Sequence, residues 1–170
     1  MNTNWKTEFR TRMAQFDTKN LGGFAPVSIK VRVAGGCFHR EHSPEAYSLI
    51  DGYVADADLS DVHYQIEEHE SGPEILVYLA VATAGLSLAK SIVELITTII
   101  KARSEGIKRG DRPSEPLEII VRGHTKYGEY TEETILRIPT GTTITPKQLA
   151  GAFPKQTKLA PATAKKRKKK

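Results

Sequence analysis

Apolar residues recur at every second position in several short stretches of the chain. Val27, Ile29, Val31 and Val33 alternate with Ser28, Lys30, Arg32 and Ala34, the pattern of a strand with one buried face, and Gly35-Gly36 ends it. Val62, Tyr64 and Ile66 alternate with His63, Gln65 and Glu67, which predicts a second strand over 61–68. Residues 117–122 and 130–138 read as a third and a fourth. Gly123 and Lys126-Tyr127-Gly128 between these two favour an antiparallel hairpin.

A helical period governs the other segments. Trp5, Phe9, Met13 and Phe16 fall on one helical face with Lys6, Arg10 and Arg12 interspersed, and Gly22-Gly23 closes this amphipathic stretch. Ser43 as cap, Pro44 in the first turn and Glu45 after it announce a helix to about residue 54, with Ala46, Leu49, Ile50 and Tyr53 turned inward. Thr145-Pro146-Lys147-Gln148 has the layout of a capping box before a last short helix, which Pro154 is expected to end.

The longest apolar run is 75–103, whose residues from Ile75 to Ala89 are all uncharged. Thr83, Ser87, Lys90, Glu94, Thr97 and Lys101 are spaced by fours and threes along it, a single polar stripe if the whole segment is one helix. Pro73 then fits its first turn and Gly106 its stop. Such a helix would extend about 40 Å. Leu79, Leu86, Ile92, Val93, Leu95, Ile96, Ile99 and Ile100 would face inward and the stripe outward. A membrane span is disfavoured, because Lys90 and Glu94 lie near the middle, each costing roughly 3 kcal/mol at a helix centre.

These elements predict an α+β fold in the order α-β-α-β-α-β-β-α. Its architecture is a two-layer sandwich of a four-stranded sheet and a long central helix, with the polar sheet face left to water or a partner. Three regions follow: an N-terminal amphipathic helix and hinge over 1–25, the α+β domain over 26–153, and a basic tail over 154–170 expected to be disordered.

Charge changes the picture at one place. The 170-residue chain carries a formal +5, but eight of its 25 basic residues lie beyond Phe153, which leaves 17 against 20 acidic residues before that point and a net −3. The basic character belongs to the tail, where Lys165, Lys166, Arg167, Lys168, Lys169 and Lys170 form a run suited to nucleic acid or an anionic surface through counterion release. No aromatic residue is interleaved there, so base-specific reading is not expected. A single cysteine excludes an intrachain disulfide, and the polar N-terminus shows no secretory signal, so a cytoplasmic location is expected.

One loop carries metal-type chemistry. Cys37, His39, Glu41 and His42 follow the Gly35-Gly36 turn, and thiolate, imidazole and carboxylate are all zinc donors. Their spacing matches no established zinc signature, so neither a metal nor another cofactor is expected. His63, His69 and His124 would be further donors if their strands approached the loop. No phosphate-binding glycine motif is present, and no catalytic residue is assigned.

The strand YQIEE, the loop EHESGPE, the segment ILVYLAVATAGLSLAKSIVELITTIIKAR and the strands LEIIVRG and TILRIP together resemble the bacterial family called effector-associated constant component one. The resemblance spans about residues 62–149 and rests on the order of elements, without a chemical motif. It implies a small non-catalytic accessory or adaptor of a bacterial conflict system, acting through protein partners. Apart from the resemblance, the small residues Ala80, Ala84, Gly85 and Ala89 leave room for a homo-oligomer. Two other readings stand beside it: a nucleic-acid-associated protein tethered by its lysine tail, and a metal-dependent enzyme built on the Cys37–His42 loop.

Overall fold

The computed structural model describes residues 5–14, 24–33, 35–59, 64–82, 85–86, 89–112, 116–124 and 130–156. The elements are α1 (Trp5–Ala14), β1 (Phe24–Val33), α2 (Pro44–Asp56), β2 (Tyr64–His69), β3 (Gly72–Ala82), β4 (Gly85–Leu86), α3 (Lys90–Lys108), β5 (Leu117–His124), β6 (Tyr130–Ile138) and α4 (Pro146–Gln156). The fold is α+β. Its antiparallel sheet runs β2-β3-β1-β5-β6, with the two-residue β4 beside β3.

The principal departure from the sequence reading is the segment 75–103, which is not one helix. Its first part is β3, inserted between β1 and β2, and among its described residues the helix begins at Lys90, α3 running to Lys108. The reason lies in what surrounds β3. Ile75 and Val77 stand opposite Ile29 and Val27 of β1 on the main core face, while Leu76 between them is fully buried on the opposite face. A strand buried on both faces needs no polar alternation, so its apolar run carries no period that separates it from a helix. Pro73 therefore sits in a strand opposite Glu68, and the sheet has five main strands instead of four. Gly72 makes the preceding turn possible: its φ is +140°, and a β-carbon there would collide with the Val31 carbonyl of β1.

One sheet face builds the core. Val27, Ile29, Val31 and Val33 of β1, Ile75 and Val77 of β3, and Leu117, Ile119 and Val121 of β5 pack with Ile92, Leu95, Ile96, Ile99 and Ile100 of α3. Val93 is buried as well, so these six apolar positions of α3 face inward as the periodicity predicts, whereas the side chains of Leu79 and Leu86 lie outside the described residues. The polar stripe is less exposed than expected: Thr97 is buried and donates its hydroxyl to the Val93 and Glu94 carbonyls of its own helix. No helix among the described residues is long and apolar enough to cross a membrane.

The short helices follow local chemistry. At α4 the Gln148 amide donates to Thr145 Oγ1 (3.2 Å) and the Thr145 amide donates to Gln148 Oε1 (2.8 Å), the reciprocal box that the sequence predicts. Pro154 does not end this helix, which continues to Gln156 and buries Leu149 and Phe153. The helix α1 is formed, but the side chains of Trp5, Phe9 and Met13, Phe16 and Gly22-Gly23, and residues 157–170 of the basic tail lie outside the described residues.

The start of α2 departs from expectation in a way that ties the helical layer together. Ser43 occupies the cap position, yet its hydroxyl does not cap; it accepts a hydrogen bond from the Arg103 guanidinium of α3 (3.1 Å). The cap comes from Asp111, just after α3, whose carboxylate accepts the Glu45 amide (3.1 Å) and the Ala46 amide (2.9 Å). An acidic group at a helix N-terminus satisfies orphan donors and complements the dipole. Gly106 does not stop α3 but lies inside it at this crossing, where a β-carbon would press on the Asp111 carboxylate and on Ala46. Gly106→Ala is expected to destabilise the fold by about 1–3 kcal/mol, as overpacking does, more than its gain in helix propensity returns. A lower urea midpoint with an unchanged slope checks this.

Candidate metal centre and the charged sheet face

The loop between β1 and α2 is fastened on three sides. The Phe38 amide donates to the Glu70 carbonyl (2.8 Å) in the β2–β3 turn, and the Val33 amide donates to the Ser71 carbonyl (2.7 Å). Phe38 itself is fully buried, edge-on to Tyr47 of α2, whose hydroxyl donates to the Phe38 carbonyl (2.9 Å). Burial pushes the Tyr47 phenol up, so it stays a donor. The Arg103 guanidinium lies over the Phe38 ring, 4.9 Å from its centroid, with burial pulling its pKa down and Asp111 opposing that fall. On the outer side, Arg40 bonds Glu68 of β2 through its amide (2.7 Å) and its Nε (3.3 Å), and its guanidinium pairs with Asp51 of α2.

Within this frame the backbone turns sharply. The His39 carbonyl accepts the amides of both His42 (3.1 Å) and Ser43 (2.9 Å), which brings the two histidine rings edge to face at 4.5 Å. Cys37, His39 and His42 thereby place one donor atom each within 4.8 Å of one another, all three residues being partly buried. His39 Nδ1 is buried without a hydrogen-bond partner. Glu41 stands apart from the three donors and faces His39 Nε2 at 3.6 Å.

Sequence reasoning missed Glu70, whose Oε1 lies 3.7 Å from Cys37 Sγ. No local signal marks a residue 33 positions away; only the docking of the hairpin turn on the loop brings it near. Of the other histidines, His69 turns to the opposite sheet face, 3.0 Å from Glu74 and 3.6 Å from Glu67, while His63 and the side chain of His124 lie outside the described residues. Lys165, Lys166, Arg167, Lys168, Lys169 and Lys170 also lie outside them.

That opposite face carries charge in register. Glu118 of β5 stands across from Arg32 of β1 and Arg137 of β6, and it accepts from both, at 3.3 and 2.7 Å. Beside it, Arg122 pairs with Glu132 across from it (2.6 Å) and with Glu74 of β3 (3.3 Å), and Glu74 also accepts from Ser28. Glu74 is 1% exposed, and Ser28, Lys30, Leu76 and Ile120 are buried on the same face. Among the described residues much of this face is thus a packed layer of paired charges; the sequence reading left it to water or a partner.

Comparison with protein-family models, curated proteins and solved structures finds no match to the chain.

The two arginines hold the Glu118 carboxyl below the usual carboxylate range, the Arg137 hydrogen bond first. A depressed folded-state pKa means stability that is present above the unfolded value and lost as pH falls through the folded one. Wild type is therefore expected to lose stability more steeply than Glu118→Gln across that acidic window. Parallel stability-against-pH curves would show that Glu118 is not the linked group.

Proposed function

We propose that the protein is a non-catalytic accessory or adaptor module of a bacterial conflict system, working by contact with a protein partner. The resemblance to the effector-associated constant component one family supports the biological setting. The observation that carries the non-catalytic reading is the way the fold commits its charges. Arg32, Glu118 and Arg137 form one array across three strands, and Arg122 pairs with both Glu74 and Glu132. Groups fixed in mutual pairs across neighbouring strands build a rigid platform; they are poorly placed to exchange protons with a substrate. Exposed Arg137 and Glu132 at the β6 edge give a partner polar points of contact.

A second reading, a body tethered to polyanion by its lysine run, is favoured by the separation of the −3 body from the basic end. One experiment addresses both. The full chain and a chain ending at Gln156, which keeps α4 with its buried Leu149 and Phe153, are each co-expressed with the products of adjacent genes and titrated with duplex DNA. The adaptor reading predicts a stoichiometric complex with one such product that survives the truncation. Loss of every complex on truncation, together with salt-sensitive DNA binding by the full chain alone, would favour the tether. Turnover of a substrate by the isolated chain would overturn both.

A further inference from the structure

We propose that Cys37, His39 and His42 form a binding site for a thiophilic divalent ion of the zinc type, closed by Glu70. This goes beyond the adaptor reading and does not depend on it. Four observations converge. A thiol and two imidazoles are the donor set that zinc favours over calcium or magnesium. Their donor atoms lie within 4.8 Å of one another. Donors held tetrahedrally at about 2.0–2.3 Å from a shared ion are about 3.3–3.8 Å apart, so rotamer adjustments of up to about 1.5 Å bring the three donors to coordination distance.

The second observation is that His39 Nδ1 is buried with no hydrogen-bond partner, a state that costs free energy unless the nitrogen meets a proton donor or a metal. Third, its other ring nitrogen faces the Glu41 carboxylate at 3.6 Å, the place of the outer contact that orients a ligating imidazole. Glu41 is thus a positioning residue and not a ligand, which separates it from the three donors with which the sequence groups it. Fourth, the Glu70 carboxylate stands 3.7 Å from Cys37 Sγ, and a turn of this exposed side chain would bring it in as the remaining ligand.

Binding replaces the thiol proton by the metal, releases that proton to solvent, and leaves the oxidation state of every atom unchanged. Three donors come from a single turn and the fourth from the β2–β3 hairpin. The ion therefore clips the loop to the sheet at the place where α2 begins.

The test is titration of the full chain, purified with chelator and then freed of it, with Co2+ and then Zn2+. The expected result is one equivalent of Co2+ per chain, with tetrahedral visible bands and a near-ultraviolet thiolate-to-cobalt transition, all displaced by Zn2+. Cys37→Ser should abolish the thiolate transition, and His42→Ala should abolish the tetrahedral bands. Glu41→Gln should retain the spectrum while weakening affinity about 10-fold or more. Glu70→Gln should shift the visible bands without removing the thiolate transition. As a measurement that needs no variant, Cys37 alkylation is also timed in the wild-type chain, where equimolar Zn2+ should slow it at least tenfold. The proposal is overturned by a wild-type chain that binds no Co2+ at equimolar concentration, by binding without a thiolate transition, or by alkylation that Zn2+ does not slow.

Discussion

The helical layer depends on one carboxylate. Asp111 reaches back from the end of α3 to receive the Glu45 and Ala46 amides at the start of α2, and it lies almost fully buried there. A buried carboxylate is tolerated only when donors replace its water, and the N-terminus of a helix supplies both donors and a favourable dipole. The contact fixes where α2 begins, and the loop immediately before α2 carries Cys37, His39 and His42. Gly106 allows the two helices to approach closely enough for the contact, and Arg103 completes it by holding Ser43 and covering Phe38.

The sheet supplies the opposing wall. The β2–β3 turn presents the Glu70 and Ser71 carbonyls to the loop and to the end of β1, so the loop is held between hairpin and helix instead of projecting into solvent. On the far face the arginine–glutamate arrays tie β1, β3, β5 and β6 to one another. Cross-strand pairs of this kind contribute modestly one by one, and their buried members hold a particular register because a slip would leave Glu74 or Glu118 unpaired.

Much of the fold was legible from pattern. The alternation in β1, the span of β6 and the reciprocal cap at Thr145 and Gln148 are local signals, and they appear in the structure where local physics puts them. The segment after Pro73 was not legible, because a strand buried on both faces and a buried helix share the same continuous apolar composition. What decides between them is the availability of β1 and β2 as hydrogen-bonding neighbours, and that is tertiary information. The candidate site divides in the same way. Cys37, His39 and His42 could be picked out by donor chemistry, while Glu70 and Asp111 act across 33 and 65 residues of chain and leave no mark in local sequence.

The claim that one carboxylate positions the loop is tested most directly by amide hydrogen exchange in Asp111→Asn beside wild type, with exchange at Glu45 and Ala46 resolved by NMR. Asn keeps one acceptor oxygen, now neutral, and sets an NH2 group against the other amide, so one hydrogen bond to a charged acceptor, worth about 1.5–3 kcal/mol, is lost and the other is weakened. Exchange should accelerate at least tenfold at one of the two amides and measurably at the other, while the central amides of β1 and β5 change little. The His39 and His42 ring resonances should shift in the same variant as the turn before α2 loosens. Unaltered protection at Glu45 and Ala46, with unmoved histidine resonances, would contradict the account.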